Sequence, residues 1–237
     1  MYKNKKILAV IPARGGSKGL FRKNIKLLLG KPLIAWTIEQ ALNSKYLDEV
    51  IVSTEDNEIA EISVKYGAKI PFLRPVELAK DDTPMIDVLI HILQNIKSYY
   101  DLIVLLEPTS PIRKRDDIDN AIVKFVDNYD KYDSLVSLGQ VHLENPVIMK
   151  KIEGDYVVPF YEKLQNIYRR QDYPLVFFPY GVLYISKVEN LLRNKTFYTN
   201  KTGYFFIERF QCYEIDDIYD FLAIENILKY LLERGLL

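Results

Sequence analysis

Five apolar, β-prone residues, Ile7-Leu8-Ala9-Val10-Ile11, run directly into a glycine-rich basic loop, Ala13 to Asn24. A run with no polar alternation reads as a strand buried on both faces, and such strands belong to parallel sheets covered by helices. The loop then lies beyond the carboxyl end of a strand, where open α/β sheets place their ligands. Gly15, Gly16 and Gly19 allow the backbone turns that aim successive N–H groups at one anion. Arg14, Lys18, Arg22 and Lys23 add four positive charges. That composition suits a polyphosphate. The loop is not a Walker loop, because Lys18 is followed by Gly19, and it is not G-x-G-x-x-G. The plain alternative is a solvated basic turn.

The rest of the first 138 residues keeps the same rhythm. A helical pattern opens at Lys31-Pro32 and reaches about Asn43, followed by a strand over Val50–Ser53. A helix over Asp56–Tyr66 has Thr54 or Asp56 as its cap and ends at Gly67. A short strand is expected over Ala68–Phe72, a helix over Met85–Tyr99 and a buried strand over Asp101–Leu106. A helix over Asp116–Asn128 and a strand over Ser134–Leu138 complete the series. This alternation predicts an α/β fold with helices on both faces of the sheet. The stretch 140–175 is polar, aromatic and irregular, and reads as an excursion from the sheet: a dimerisation arm or a lid. Regular pattern returns at Val176–Ile185, Tyr204–Ile207 and Cys212–Ile215, before a closing helix from Asp217 to about Leu232. No stretch has the composition of a linker, so residues 1–237 read as one domain, with the arm at about 141–175.

Thirty-two basic residues balance thirty-two acidic ones. This argues against nucleic acid or an anionic membrane as the main partner, while leaving room for a local phosphate-binding patch. No run of about eighteen apolar residues occurs, and the N-terminal apolar run is too short for a signal peptide, so a cytoplasmic protein is expected. Cys212 is the single cysteine, so no internal disulfide can form. With His91 and His142 the only histidines, a Cys/His zinc site is not expected either.

Two further segments carry possible chemistry. In Leu105-Leu106-Glu107-Pro108-Thr109-Ser110-Pro111-Ile112-Arg113, two prolines stiffen a strand-end loop that offers donors from Thr109, Ser110 and Arg113. The alternative is a stiffened turn that caps a helix. In Tyr213-Glu214-Ile215-Asp216-Asp217, a strand would put Glu214 and Asp216 on one side, facing one hard cation. Alternatively, Asp216 or Asp217 caps the last helix. Taken alone, Arg74-Pro75 and Asp81-Asp82-Thr83 read as loop residues, and Arg169-Arg170-Gln171 as surface charge or as phosphate donors borne on the arm.

Ile11-Pro12-Ala13-Arg14-Gly15-Gly16-Ser17-Lys18-Gly19 with Lys23-Asn24 resembles the signature loop of the acylneuraminate cytidylyltransferases, the CMP-sialic acid synthetases. The likeness continues, in order, through Lys31-Pro32-Leu33-Ile34-Ala35, Val52-Ser53-Thr54, Arg74-Pro75-Val76-Glu77-Leu78-Ala79 and Leu106 to Pro111. It extends through Arg170-Gln171, Gly181 to Tyr184 and Glu214-Ile215-Asp216, and so covers most of the chain. The resemblance implies a Rossmann-like, three-layer α/β/α fold with a mostly parallel mixed sheet and a protruding arm that builds a homodimer. It implies transfer of CMP from CTP, with Mg²⁺, to the anomeric hydroxyl of a 2-keto-3-deoxy sugar acid, releasing pyrophosphate. The implied nucleotide site comprises Ala13, Arg14, Gly15, Gly16, Ser17, Lys18, Asn24 and Arg74. Lys23 would join the triphosphate contacts, and Glu214 and Asp216 would hold the metal. Arg170 would reach the partner subunit's active site, making Arg14, Lys23, Asp216 and Arg170 the implied catalytic set. Glu107, Thr109, Ser110, Phe178, Tyr180 and Tyr184 would face the sugar.

The sequence departs from the family mainly on that sugar side. Glu107 replaces a glutamine, Glu214 an aspartate and Tyr180 an asparagine. Phe178 stands where sialate enzymes often carry an arginine, and Met85 where a serine is common. A legionaminate- or pseudaminate-type sugar, less hydroxylated at C7–C9, is therefore expected in preference to N-acetylneuraminate. Two other readings stay open: a nucleotidyltransferase acting on a sugar 1-phosphate with another nucleotide, and a non-catalytic nucleotide-binding protein.

Overall fold

The computed structural model describes residues 1–161 and 169–237. Its first half contains β1 (Ile7–Pro12), the short pair β2 (Leu27–Leu28) and β3 (Lys31–Pro32), α1 (Leu33–Leu42), β4 (Glu49–Ser53), α2 (Asn57–Lys65), α3 (Met85–Asn95), β5 (Leu102–Leu105) and α4 (Asp117–Asp127). The second half contains β6 (Ser134–Gln140), β7 (Lys150–Glu153), β8 (Tyr156–Pro159), β9 (Phe177–Lys187), α5 (Val188–Asn194), β10 (Thr202–Phe206) and α6 (Ile218–Glu233).

Six strands form one sheet in the order β10-β6-β9-β5-β1-β4. β1 pairs in parallel with β4 and β5, and β10 in parallel with β6, while β9 runs antiparallel to both its neighbours. The sheet is therefore mixed and mostly parallel, as expected. The alternation of side chains along β1 builds the layers. Ile7, Ala9 and Ile11 pack with Ile34 and Ile38 of α1, Ile59 of α2 and Phe125 of α4. Leu8 and Val10 point to the other face, against Leu89 and Ile92 of α3 and Leu191 of α5. Every residue of β1 is buried, which explains why its sequence lacks polar alternation. A third cluster seats Phe221, Ile224, Leu228 and Leu231 of α6 on Leu28, Leu33, Ile112 and Ile215.

Several local expectations change. Lys31-Pro32 is strand β3, paired with β2 across a turn in which Leu29 and Gly30 have φ of 49° and 79°, and the helix starts one residue later at Leu33. Ala68–Phe72 is not a strand; it contributes a single parallel bridge, Lys69 to Ile51. Cys212–Ile215 is not a strand either. Ile215 N–H donates to the Thr109 carbonyl at 2.9 Å, and no ladder forms along the segment. Asp56 is the cap of α2, its carboxylate accepting from Ile59 N at 3.0 Å. Within the 140–175 stretch, β7 and β8 pair with each other and stand apart from the main sheet. No helix among the described residues is long and apolar enough to cross a membrane.

Candidate active site

β1, β4 and β5 end side by side, and their outgoing loops meet there: Ala13 N–H donates to Ser53 O at 2.9 Å and Leu106 N–H to Val10 O at 3.0 Å. A cavity of about 540 Å³ opens at this edge. Arg14, Ser17, Lys18, Gly19, Lys23 and Asn24 line it from the first loop. Arg74 lines it after β4, Glu107, Pro108 and Thr109 after β5, and Asp216 ahead of α6. The sequence motifs that looked separate thus share one wall.

The basic loop divides its charges. Arg22 leaves the cavity and pairs with Asp56 and Glu58 at the start of α2. Lys23 donates to Asp216 Oδ1 at 3.3 Å. Arg14 and Lys18 both pair with Asp81, Arg14 at 2.6 Å. Asn24 is buried, and its amide donates to the Arg14 carbonyl at 2.9 Å, which fixes the loop's entry. Gly19 lies so close to the Asp216 carbonyl that no side chain fits, and this contact closes the loop against the segment before α6.

Glu55, which the motifs did not single out, joins two parts of the site. It accepts from Gly15 N at 2.7 Å and from the Arg74 guanidinium at 2.9 Å. Arg74 is 4% exposed, and its Nε has no partner. An unpaired buried donor at a cavity wall is costly unless a ligand supplies an acceptor. Ala13 packs in the core and Gly16 faces open space, so within the loop the cavity wall comes from Arg14 and from Ser17 onward.

The acidic side centres on Glu107, Glu214 and Asp216. Glu214 accepts from Ser110 Oγ at 3.2 Å and from Gly181 N. Burial, with the Glu214 carboxylate nearby, pushes the Glu107 carboxyl up to about 7. Gly181 packs flat on the Glu107 side chain, leaving no room for a Cβ. The last helix settles the competing roles of the neighbouring aspartates. Asp217 is its cap, accepting from Tyr219 N at 2.8 Å and Asp220 N at 3.1 Å, and Asp216 is left 87% exposed beside the cavity.

Glu214 and Asp216 do not lie on a strand, so strand alternation is not what brings them to the site. Glu214 is set by Ser110 and Gly181, and Asp216 by its place before the cap. No cluster of three metal-ligating side chains occurs among the described residues. A Mg²⁺ ion usually takes one or two carboxylates, completing its shell with substrate phosphates and water; Asp216 lines the cavity and can offer one, whereas Glu214 does not line it and is already bonded to Ser110 and Gly181.

Of the sugar-facing candidates, Glu107 and Thr109 line the cavity. Ser110 is buried behind it. Phe178 and Tyr180 form an edge-on pair, 5.0 Å between ring centres, further along β9. The Tyr184 ring packs on Phe197, and its hydroxyl donates to Pro179 O at 3.4 Å. Arg113 turns away from the cavity into the core. Arg170 opens a short turn over Arg170–Asp172, and its side chain lies outside the described atoms. Leu78, Lys80, Asp81, Thr83 and Met85 complete the wall opposite the basic loop.

Comparison with known proteins then assigns the family. The family described as cytidylyltransferase matches residues 8–234. The chain belongs to that family. It is 36% identical to the CMP-N,N'-diacetyllegionaminic acid synthase of Legionella pneumophila, covering 94% of this chain and 97% of that protein. It is 35% identical to the pseudaminic acid cytidylyltransferase of Campylobacter jejuni, over 91% and 93% of the two chains. Identity to the N-acylneuraminate cytidylyltransferase of Escherichia coli is also 35%, over 92% of this chain and 51% of that longer protein. A solved CMP:2-keto-3-deoxy-manno-octonic acid synthetase, complexed with CTP, superposes with a TM-score of 0.70 over 95% of this cytidylyltransferase and 99% of that chain. At 16% identity that likeness bears on the fold, which is Rossmann-like.

Proposed function

We propose that this cytidylyltransferase transfers CMP from CTP to the anomeric hydroxyl of a nonulosonic, sialic-acid-like sugar acid and releases pyrophosphate. The reading rests above all on one cavity that joins the basic loop, the unpaired Arg74 Nε and the Asp216 carboxylate. Phosphoryl transfer needs positioning and charge stabilisation more than covalent help. Arg14, Lys18 and Lys23 supply cations where a triphosphate would lie, and Arg74 offers an unused donor for the base and its surroundings. Glu214 and Asp216 would hold Mg²⁺, which when bound neutralises developing charge on the phosphates. The reaction belongs to the cytoplasm, where CTP is available. The aromatic pair Phe178–Tyr180, on β9 outside the residues that line the cavity, supports a sugar with fewer hydroxyls at its far end than N-acetylneuraminate.

Pyrophosphate release tests the reading. CTP, UTP, GTP and ATP are each offered with free eight- and nine-carbon keto acids and with sugar 1-phosphates. Release is expected with CTP and a free nine-carbon acid, faster for legionaminate or pseudaminate than for N-acetylneuraminate. Release confined to a sugar 1-phosphate would overturn the reaction. Equal or better use of N-acetylneuraminate would overturn the sugar preference.

The same reading makes the protein a homodimer. The β7–β8 hairpin exposes Ile152, Tyr156 and Val157, with Phe160 and Tyr161 beside it. A lone two-stranded hairpin is marginal in water, and clustered exposed apolar groups mark an interface. A second copy would cover it and bring Arg170 to the neighbouring cavity. Arg170→Ala should then lower turnover with little change in melting temperature. Mixed dimers that pair it with a different inactive site should recover part of the activity, whereas exchanged dimers with no recovery would count against a shared site.

A further inference from the structure

We propose that Asp81 is a resident anion of the triphosphate site: it occupies the Arg14 and Lys18 cations when no nucleotide is bound, and reclaims them from pyrophosphate after transfer. One carboxylate gives one oxygen to each cation, Oδ1 to Arg14 at 2.6 Å and Oδ2 to Lys18. Arg14 also donates to the Ala79 carbonyl at 3.5 Å, so the loop that carries Asp81 is joined to the basic loop at the cavity that both line. This is the arrangement of two cations around a phosphate, with a side chain in the phosphate's place. The two cations hold the Asp81 carboxyl below the usual carboxylate range, Lys18 more than Arg14, so the charge that competes with phosphate is present throughout the neutral range.

The contact is built to be exchanged. Asp81 is 42% exposed, Lys18 80% and Arg14 33%, so solvent screens both pairs and neither holds its partner strongly. The Arg74–Glu55 pair in the same cavity is its opposite, with side chains 3% and 14% exposed. One pair fixes the wall, and the other is a lid contact that a more highly charged ligand displaces. The loop around Asp81 is tied back on itself by Thr83, whose N–H donates to Lys80 O at 3.3 Å and whose hydroxyl donates to Glu77 O at 3.3 Å. These bonds lie ahead of α3, which begins at Met85.

This rests on the reading of the cavity as a CTP site. Calorimetric titration of wild type, Asp81→Asn and Asp81→Ala with CTP, inorganic pyrophosphate and cytidine tests it. Both variants are expected to bind CTP and pyrophosphate roughly three- to tenfold more tightly, the scale of losing two exposed ion pairs. Cytidine, which has no phosphate, should bind all three proteins alike. In turnover, pyrophosphate should inhibit the variants at correspondingly lower concentration. Unchanged or weaker binding of CTP and pyrophosphate would overturn the role of Asp81, as would an equal gain for cytidine. A wild type that binds neither CTP nor pyrophosphate would instead overturn the CTP reading itself.

Discussion

Asp216→Asn is expected to lower Mg²⁺-dependent turnover by about a hundredfold or more while leaving the melting temperature close to that of wild type. The magnitude is that of removing one preorganised electrostatic group from a reacting centre. The structural half of the expectation comes from the neighbouring residue. Asp217 and Asp220 form a reciprocal cap at the start of α6, and Asp216 contributes to it through its backbone N–H, which Asn keeps. The Asp216 side chain is 87% exposed and contacts Lys23 at 3.3 Å, so its charge has no structural task that an amide would abandon. Glu214→Gln is the informative contrast. Glu214 accepts from Gly181 N and Ser110 Oγ, so its replacement should disturb β9 as well as turnover. Near-normal Mg²⁺-dependent rates in Asp216→Asn, with the fold intact by circular dichroism, would refute the metal role.

The sequence was legible wherever burial alone determines structure. β1, with every residue buried, could only be a strand covered on both faces, and from it followed the ligand edge and the place of the basic loop. The α2 cap was legible for a similar reason: the donor groups it satisfies lie within the same turn. What stayed hidden depends on partners distant in sequence. Arg22 looks like a phosphate ligand among its neighbours, but Asp56 and Glu58 claim it across the fold. Glu55 carries no motif, yet it links Gly15 to Arg74. Asp81 looks like a polar loop residue until the fold brings Arg14 and Lys18 to it. Cys212–Ile215 shows the opposite error. Its apolar and aromatic residues suit a strand, but it joins no ladder of the sheet that runs from β10 to β4, and bonds instead to Thr109 in the loop after β5. Helix α5, seven residues long and following β9 without an intervening residue, is too short for its pattern to show in the sequence, which reads the strand only to Ile185.

Arg113→Met is expected to be the most destabilising of these substitutions, lowering stability by roughly 3 kcal/mol and the melting temperature by about 6–12 °C. Two effects oppose each other. Arg113 is 2% exposed, and burial pushes its guanidinium down to about 9, so removing the cation relieves a real desolvation cost. Against this, its Nε donates to Val182 O at 2.6 Å and its two terminal nitrogens to Thr37, Gln40, Glu107 O and Gly181 O at 2.8–3.4 Å. Methionine fills much of the volume and supplies no donor, so the carbonyls of Val182, Glu107 and Gly181 each lose a charge-assisted bond worth about 1.5–3 kcal/mol, although Glu107 O keeps the Ser110 N–H and Gly181 O the Glu107 N–H. That sum exceeds the relief, and the balance is a loss. Arg113→Lys should recover little, because three donors at one point cannot span a fork that reaches a strand, a loop and a helix. The damage should also appear in catalysis. Two of the carbonyls that lose the guanidinium belong to Glu107 and Gly181, which together set the acidic side of the cavity, so well below its melting point the variant should show a raised KM for the sugar acid with less change in that for CTP. A melting temperature within about 2 °C of wild type would show that the carbonyls find other donors, and that Arg113 is not what holds β9 to the loop after β5.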